Sequence, residues 1–169
     1  MSDLPDPQEA GRPYRVAMVC LGNICRSPMA EVVTREEVAR RGLGDLVAVD
    51  SSGTGGWHAG ADMDERALAA LAGRGLDGAS HRARQFVRDW ASRYDLVLAM
   101  DRDNLRALRS LGVPEERLRL FRSFDPSAPR EAEVPDPYYG GRSGFDEVLD
   151  MVEAAARGLA DDLEKLLRR

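Results

Sequence analysis

The chain has only two cysteines and two histidines among its 169 residues. Two thiols in one short stretch make no disulfide scaffold of the kind small secreted domains rely on. Without a neighbouring pair of histidines they do not complete a four-ligand zinc site either. No run approaches the roughly 20 apolar residues that a membrane span needs, and residues 1–13 are acidic and proline-rich, unlike a signal peptide. Basic charge is not in excess: the formal net charge of −5 provides no general attraction to nucleic acid or anionic membrane, so any anion site has to be local. These absences lead to the expectation of a cytoplasmic protein with no metal, no cofactor, no nucleic-acid partner and no membrane anchor.

What is present is ordinary globular material. A composition of 43% hydrophobic and 31% charged residues is apolar enough to close a core, and a chain of this length fits a single domain. Residues 1–13, with three prolines and no apolar periodicity, are expected to form a disordered tail, and residues 14–169 the domain. Four short apolar runs read as strands: Arg15–Cys20, Leu46–Ser51, Asp95–Met100 and Arg117–Phe121. Between and after them lie helical patterns over Pro28–Arg41, Asp64–Gly73, Ala83–Ser92, Asn104–Leu111 and Phe145–Arg168. In the last, Val148, Leu149, Val152, Ala155, Ala156, Leu159, Leu163, Leu166 and Leu167 form one apolar stripe. Strands alternating with helices predict an α/β fold, a doubly wound four-stranded parallel sheet flanked by helices. Ligands of such sheets bind beyond the carboxyl ends of the strands, which directs attention to the loop after the first strand.

That loop runs Cys20-Leu21-Gly22-Asn23-Ile24-Cys25-Arg26-Ser27-Pro28. Ser27 stands where a helix N-cap is expected, with Pro28 at the first helical position. Successive backbone N–H groups in such a turn form a concavity for an anion, and the helix N-terminus adds partial positive charge. Gly22 relieves the turn of a side chain, and Asn23 tolerates the left-handed region. Arg26 offers a planar fork for phosphate oxygens. The same groups stabilise a thiolate at Cys20, making it a nucleophile able to attack phosphorus and form a phosphocysteine intermediate.

With these residues in view the sequence resembles the low-molecular-weight protein tyrosine phosphatase family, whose signature is similar to Val19-Cys20-Leu21-Gly22-Asn23-Ile24-Cys25-Arg26-Ser27-Pro28-Met29-Ala30-Glu31. The likeness extends to Ser51-Ser52-Gly53-Thr54, His81-Arg82-Ala83-Arg84-Gln85, Ala99-Met100-Asp101-Arg102-Asp103-Asn104-Leu105 and Asp136-Pro137-Tyr138-Tyr139-Gly140. The resemblance implies a metal-free enzyme in which Cys20 is the nucleophile, Arg26 binds phosphate and Asp136 is general acid and base. It also implies that Asn23 and Ser27 shape the loop, that Asp101 and Asn104 brace it, and that His81 is structural. Trp57, Tyr138 and Tyr139 resemble the family's aromatic wall, with Leu21 and Ile24 lining the slot beneath. A deep aromatic slot favours the long aryl ester of phosphotyrosine over phosphoserine. The implied partners are phosphotyrosine proteins and, upstream, a tyrosine kinase, for which the Tyr138-Tyr139 pair is itself a plausible target; the implied assembly is a monomer.

Some readings stay open at this point. Cys25 is either packing or the partner of Cys20 in a reversible protective disulfide. His58 reads as a solvated loop residue. The arginines Arg82, Arg84, Arg88, Arg117, Arg119 and Arg122 are either a basic rim for acidic peptides or a solvated face. Among competing functions, arsenate reduction lacks its cysteine relay beyond Cys25. Arginine phosphatases carry threonine where this chain has Ile24 and phenylalanine where it has Tyr138. A non-catalytic phosphate-binding module would not need Cys20, Arg26 and Asp136 together.

Overall fold

The computed structural model describes residues 4–140 and 144–168 in full, together with the backbone of 142–143. Its elements are β1 (Tyr14–Cys20), α1 (Arg26–Arg40), β2 (Val47–Gly53), α2 (Glu65–Ala72), β3 (Leu96–Ala99), α3 (Arg102–Ser110), β4 (Leu118–Leu120) and α4 (Arg142–Leu167). The strands form one four-stranded parallel sheet, as the alternation of strand and helix predicts, and their order is β2-β1-β3-β4. The chain leaves β1 toward β2 on one side and later returns to place β3 on the other. The carboxyl end of β1 is therefore the topological switch point, where adjacent loops diverge and leave a crevice.

Alternation along the strands divides the core in two. Val16, Met18 and Cys20 face α1, α2 and α4, whose buried stripe includes Val148, Val152, Ala156, Leu159 and Leu163. Ala17 and Val19 face the opposite side with Val97, Ala99, Phe86, Tyr94 and Leu108 of α3. Strands covered on both faces lose the hydrophobic-polar alternation of a half-exposed sheet, which is why β1 and β3 read as continuous apolar runs.

Two expectations are corrected. The helical pattern at Ala83–Ser92 is not an α-helix. Its first half runs extended beside the end of β2, with Gly53 N–H donating to Arg84 O at 2.9 Å and Phe86 N–H donating to Gly53 O at 2.7 Å. Only Arg88–Trp90 closes a single 3₁₀ turn. Phe86 and Trp90, which mimic helical spacing, instead meet edge to face at 5.9 Å. Backbone pairing with β2 outweighs a short pattern of weak local preference.

The second correction concerns the N-terminal segment. Residues 1–3 lie outside the described residues, but from Leu4 onward the segment packs on the body. Leu4 is buried, Pro5 O accepts from the Tyr14 hydroxyl at 2.8 Å, and Gln8 N–H donates to Asp95 at 2.7 Å. Asp95, itself buried, also accepts from Arg15 N–H at 2.7 Å, so one carboxylate ties the segment to the start of β1.

Gly158 shows how closely α4 is seated: a Cβ there would fall on the carbonyl oxygen of Phe124. At an open helical position Gly→Ala is worth about 1 kcal/mol of stabilisation. Here the clash outweighs that gain, and Gly158→Ala is expected to destabilise the fold by about 1–3 kcal/mol in urea unfolding.

Candidate active site

The loop from Cys20 to Ser27 lies on the end of β2 so closely that a Cβ at Gly53 would stand 2.6 Å from Leu21 O and 3.1 Å from Asn23 N. Its turn is made by Asn23, the only non-glycine among the described residues with positive φ, 58°. Gly22 serves differently from the expectation: it has no positive φ, but a side chain there would press on the His58 ring at 3.0 Å.

Asn23 is wholly buried and its side-chain amide is fully engaged. Oδ1 accepts from Arg84 N–H at 2.9 Å, while Nδ2 donates to Ser27 Oγ at 2.9 Å and to Ser51 Oγ at 3.0 Å. A backbone N–H only donates, so the Arg84 contact alone fixes which amide atom is oxygen. Ser51 in turn donates to Glu31 at 2.7 Å, leaving a lone pair for Asn23. The carbonyl of Asn23 accepts from His81 Nε2 at 2.7 Å, in keeping with a structural histidine.

Ser27 differs from its expected place. The helix α1 begins at Arg26 with Cys25 at the N-cap and no side-chain cap bond. Ser27 is turned inward instead. Having accepted from Asn23, it has its own hydrogen left for Cys20 Sγ at 3.0 Å or Ser52 O at 3.3 Å. The Cys20 sulfur, buried at the loop's base, also accepts from Asn23 N–H at 3.3 Å. The backbone N–H groups of Gly22, Ile24, Cys25 and Arg26 have no acceptor among the described residues. Unsatisfied donors at a helix N-terminus are what an oxyanion binds.

Arg26 is 3% exposed. Its Nη1 donates to Asp101 Oδ2 at 2.6 Å and to Val134 O at 3.2 Å, and its Nη2 lies 3.6 Å from Asp136 Oδ2. Burial opposes the charge, but the Cys20 sulfur, Asp101 and Asp136 together more than offset it and raise the guanidinium's pKa. Asp101 has two tasks: its other oxygen caps α3 by accepting from Asn104 N–H at 2.8 Å, and the Asn104 side chain returns a bond to Asp101 N–H. The charge of Arg26 is thereby fixed to the end of β3.

Around the sulfur opens a cavity of about 430 Å³, lined by Cys20, Leu21, Gly22, Ile24, Cys25, Arg26, Trp57, His58, Asp136, Tyr138 and Tyr139. The structure thus gathers every expected site residue at the surface of the cavity except Asn23 and Ser27, which lie buried beneath it. His58, read as solvated, belongs to the wall, its ring 6.5 Å from that of Tyr138. Only its neighbour Trp57 hinted at this. Tyr138 and Tyr139 meet edge to face at 5.0 Å, and Tyr138 N–H donates to Asp136 Oδ1 at 3.1 Å. Of the aromatic wall, Trp57 and Tyr139 are 74% and 93% exposed while Tyr138 is 37% exposed. Tyr138 is accordingly the side with a packed support and the other two are rim. Among the described residues no group of three or more His, Cys, Asp or Glu is placed to hold a metal ion, and no helix is long and apolar enough to cross a membrane.

A parallel α/β sheet with a cysteine at the base of an amide-lined loop, an arginine beside it and a carboxylate at the mouth defines the class of cysteine-loop phosphoryl-binding proteins. The sequence matches the model described as Low molecular weight phosphotyrosine protein phosphatase over residues 15–169, and the chain belongs to that family. It is 57% identical to the low molecular weight protein-tyrosine-phosphatase of Streptomyces coelicolor over 86% of this chain and 91% of that one. With low molecular weight protein-tyrosine phosphatase A of Mycobacterium tuberculosis the identity is 47%, over 93% of this chain and 96% of that one. The crystal structure of YfkJ from Bacillus subtilis superposes with a TM-score of 0.86 at 33% identity, covering 93% and 98% of the two chains.

The two cysteines differ in character. Both are free, but burial first, then the charges of Asp64 and Cys20, push the Cys25 thiol far above its usual range, so it stays protonated at neutral pH. In a Cys20→Ser variant, iodoacetamide at pH 7 should leave Cys25 unmodified over a period that fully labels a free thiol in solution, as read by intact mass.

Proposed function

We propose that this protein is a protein-tyrosine phosphatase that works through a phosphocysteine intermediate on Cys20. The observation that carries the reading is the convergence in one cavity of Cys20 Sγ, bonded to Asn23 N–H and facing Ser27, with Arg26 and Asp136 beside it. The names borne by its relatives support the same conclusion.

Phosphate enters with its oxygens against the free loop amides and Arg26, which hold the charge spread over the equatorial oxygens during transfer. The Cys20 thiolate attacks phosphorus as the bond to the phenolic oxygen breaks, and Asp136 gives that oxygen its proton. Asp136, now a carboxylate, takes a proton from water whose oxygen displaces sulfur, releasing inorganic phosphate and restoring the thiolate. Asn23 and Ser27 hold the sulfur's surroundings rigid. Leu21, Gly22, Ile24 and Cys25 shape the slot, while Trp57, Tyr138 and Tyr139 pack the substrate ring. Substrates are proteins phosphorylated by a tyrosine kinase, met in the cytoplasm by a monomer; no group on the path needs a metal or cofactor.

The test is turnover of matched phosphotyrosine, phosphoserine and phosphoarginine peptides in chelator and reductant. Phosphotyrosine should be preferred. Cys20→Ser should abolish turnover, and Asp136→Asn should lower kcat by about a hundredfold or more, the usual worth of a placed acid and base. Preference for phosphoarginine would transfer the substrate assignment, and no cleavage of any peptide would leave only a phosphate-binding site.

A further inference from the structure

Arg66 lies on α2, outside every motif that the sequence singled out, yet its guanidinium is engaged on all sides. Nε and Nη2 donate to the two oxygens of Asp64 at 3.1 and 3.0 Å, and Nη1 donates to Gly140 O at 3.0 Å. Its central carbon stands over two rings, 5.4 Å from the centroid of Tyr138 and 4.6 Å from that of Phe145. Phe145 is wholly buried in the main core. Asp64, for its part, caps α2 by accepting from Arg66 N–H and donates its own N–H to Ile24 O at 2.9 Å. The Asp64 backbone, bonded to Ile24, and the Asp64–Arg66 side-chain pair, bonded to Gly140, together connect the phosphate loop to the segment carrying Asp136 and Tyr138.

We infer that Arg66 is a positioning residue that sets where Asp136 and Tyr138 stand over Cys20; this deepens the phosphatase reading and rests on it. The Asp136 carboxylate has two anchors. One oxygen faces Arg26 at 3.6 Å, and the other accepts from the backbone of Tyr138. The position of the Tyr138 backbone therefore governs one of the two, and Arg66 holds that backbone from both ends, by stacking on the Tyr138 ring and by bonding the Gly140 carbonyl. The job needs a planar cation. A fork on Asp64, a third donor directed at Gly140 and a flat face against two rings are all available to guanidinium, whereas an ammonium is a compact point charge without the face.

Arg66 and Asp64 are 29% and 11% exposed, and a pair near the surface adds little to overall stability. Its loss is to be read in geometry. When the acid is well placed, the departing oxygen is protonated as its bond breaks, so the rate depends weakly on how good a leaving group it is. A displaced acid leaves good leaving groups nearly unaffected and penalises poor ones.

The experiment compares wild type with Arg66→Met, which keeps an unbranched stem against Phe145 and removes the guanidinium. The readout is kcat/KM over a series of aryl phosphates whose phenols have pKa from about 7 to about 10, from p-nitrophenyl phosphate to phenyl phosphate and phosphotyrosine. The expected fall is about threefold or less at the first end and about tenfold or more at the second. Arg66→Lys should show the same steepening, and it carries the test if the methionine variant does not fold. A uniform fall across the series, or no fall, overturns the inference. If wild type cleaves none of the series, it is the phosphatase reading that fails. Amide hydrogen exchange at Tyr138, Tyr139 and Gly140 then decides the role of Arg66: exchange about tenfold faster in the variant, with β1 amides unchanged, supports it, and unchanged exchange overturns it.

Discussion

The loop around Cys20 depends on one buried asparagine. Asn23 has a left-handed backbone at φ 58° and no exposure to water, a combination that survives only when the surroundings over-determine it. They do so by engaging its carbonyl through His81 and its amide through Arg84, Ser27 and Ser51. Each such group left unpaired inside the protein would cost about 1–3 kcal/mol, so the network holds as a unit. Its geometric outcome is local: the chain doubles back, the sulfur meets Asn23 N–H and Ser27, and the amides that follow have no acceptor among the described residues.

A second constraint acts on charge. Arg26 is buried too deeply to stand alone, and breaking a buried ion pair by removing one partner typically costs about 3–5 kcal/mol. Asp101 compensates Arg26 while its other oxygen closes the N-terminus of α3. That couples the arginine to β3, the strand adjacent to β1 at the switch point. The crevice supplied by the sheet order is thus the place where loop ends from three strands converge, and Arg26 within it answers to Asp101, Val134 and Asp136 at once.

Much of this was legible in the chain. The strand, Cys20 loop and helix were readable because turn chemistry is local: Asn23 tolerates the left-handed turn, and Pro28 lies in the first turn of α1, where its missing N–H costs no helical bond. Buried strands and the α4 stripe were readable because periodicity follows burial. The helix expected at Ala83–Ser92 failed for the complementary reason, since Phe86 and Trp90 fit helical spacing while the backbone from Arg84 to Phe86 is recruited by Gly53 on β2. Ser27 reads as a cap by position, yet its hydroxyl is claimed by Cys20 and Asn23, and residues 4–13 are held by distant partners, among them Asp95, 87 positions from Gln8, and Arg117 on Asp6 O.

By itself, then, the sequence determined the alternation of strands and helices in outline, the phosphate cradle and the family to which the chain belongs, because those depend on neighbours along the chain and on short motifs. Only the tertiary structure decided that His58 joins the cavity wall, that Asp101 serves Arg26 and α3 at once, and that Arg66 on α2 links the cradle to the aromatic wall. Those are contacts between segments far apart in the chain. Their distances and directions exist only after the sheet order has brought the loops to one edge.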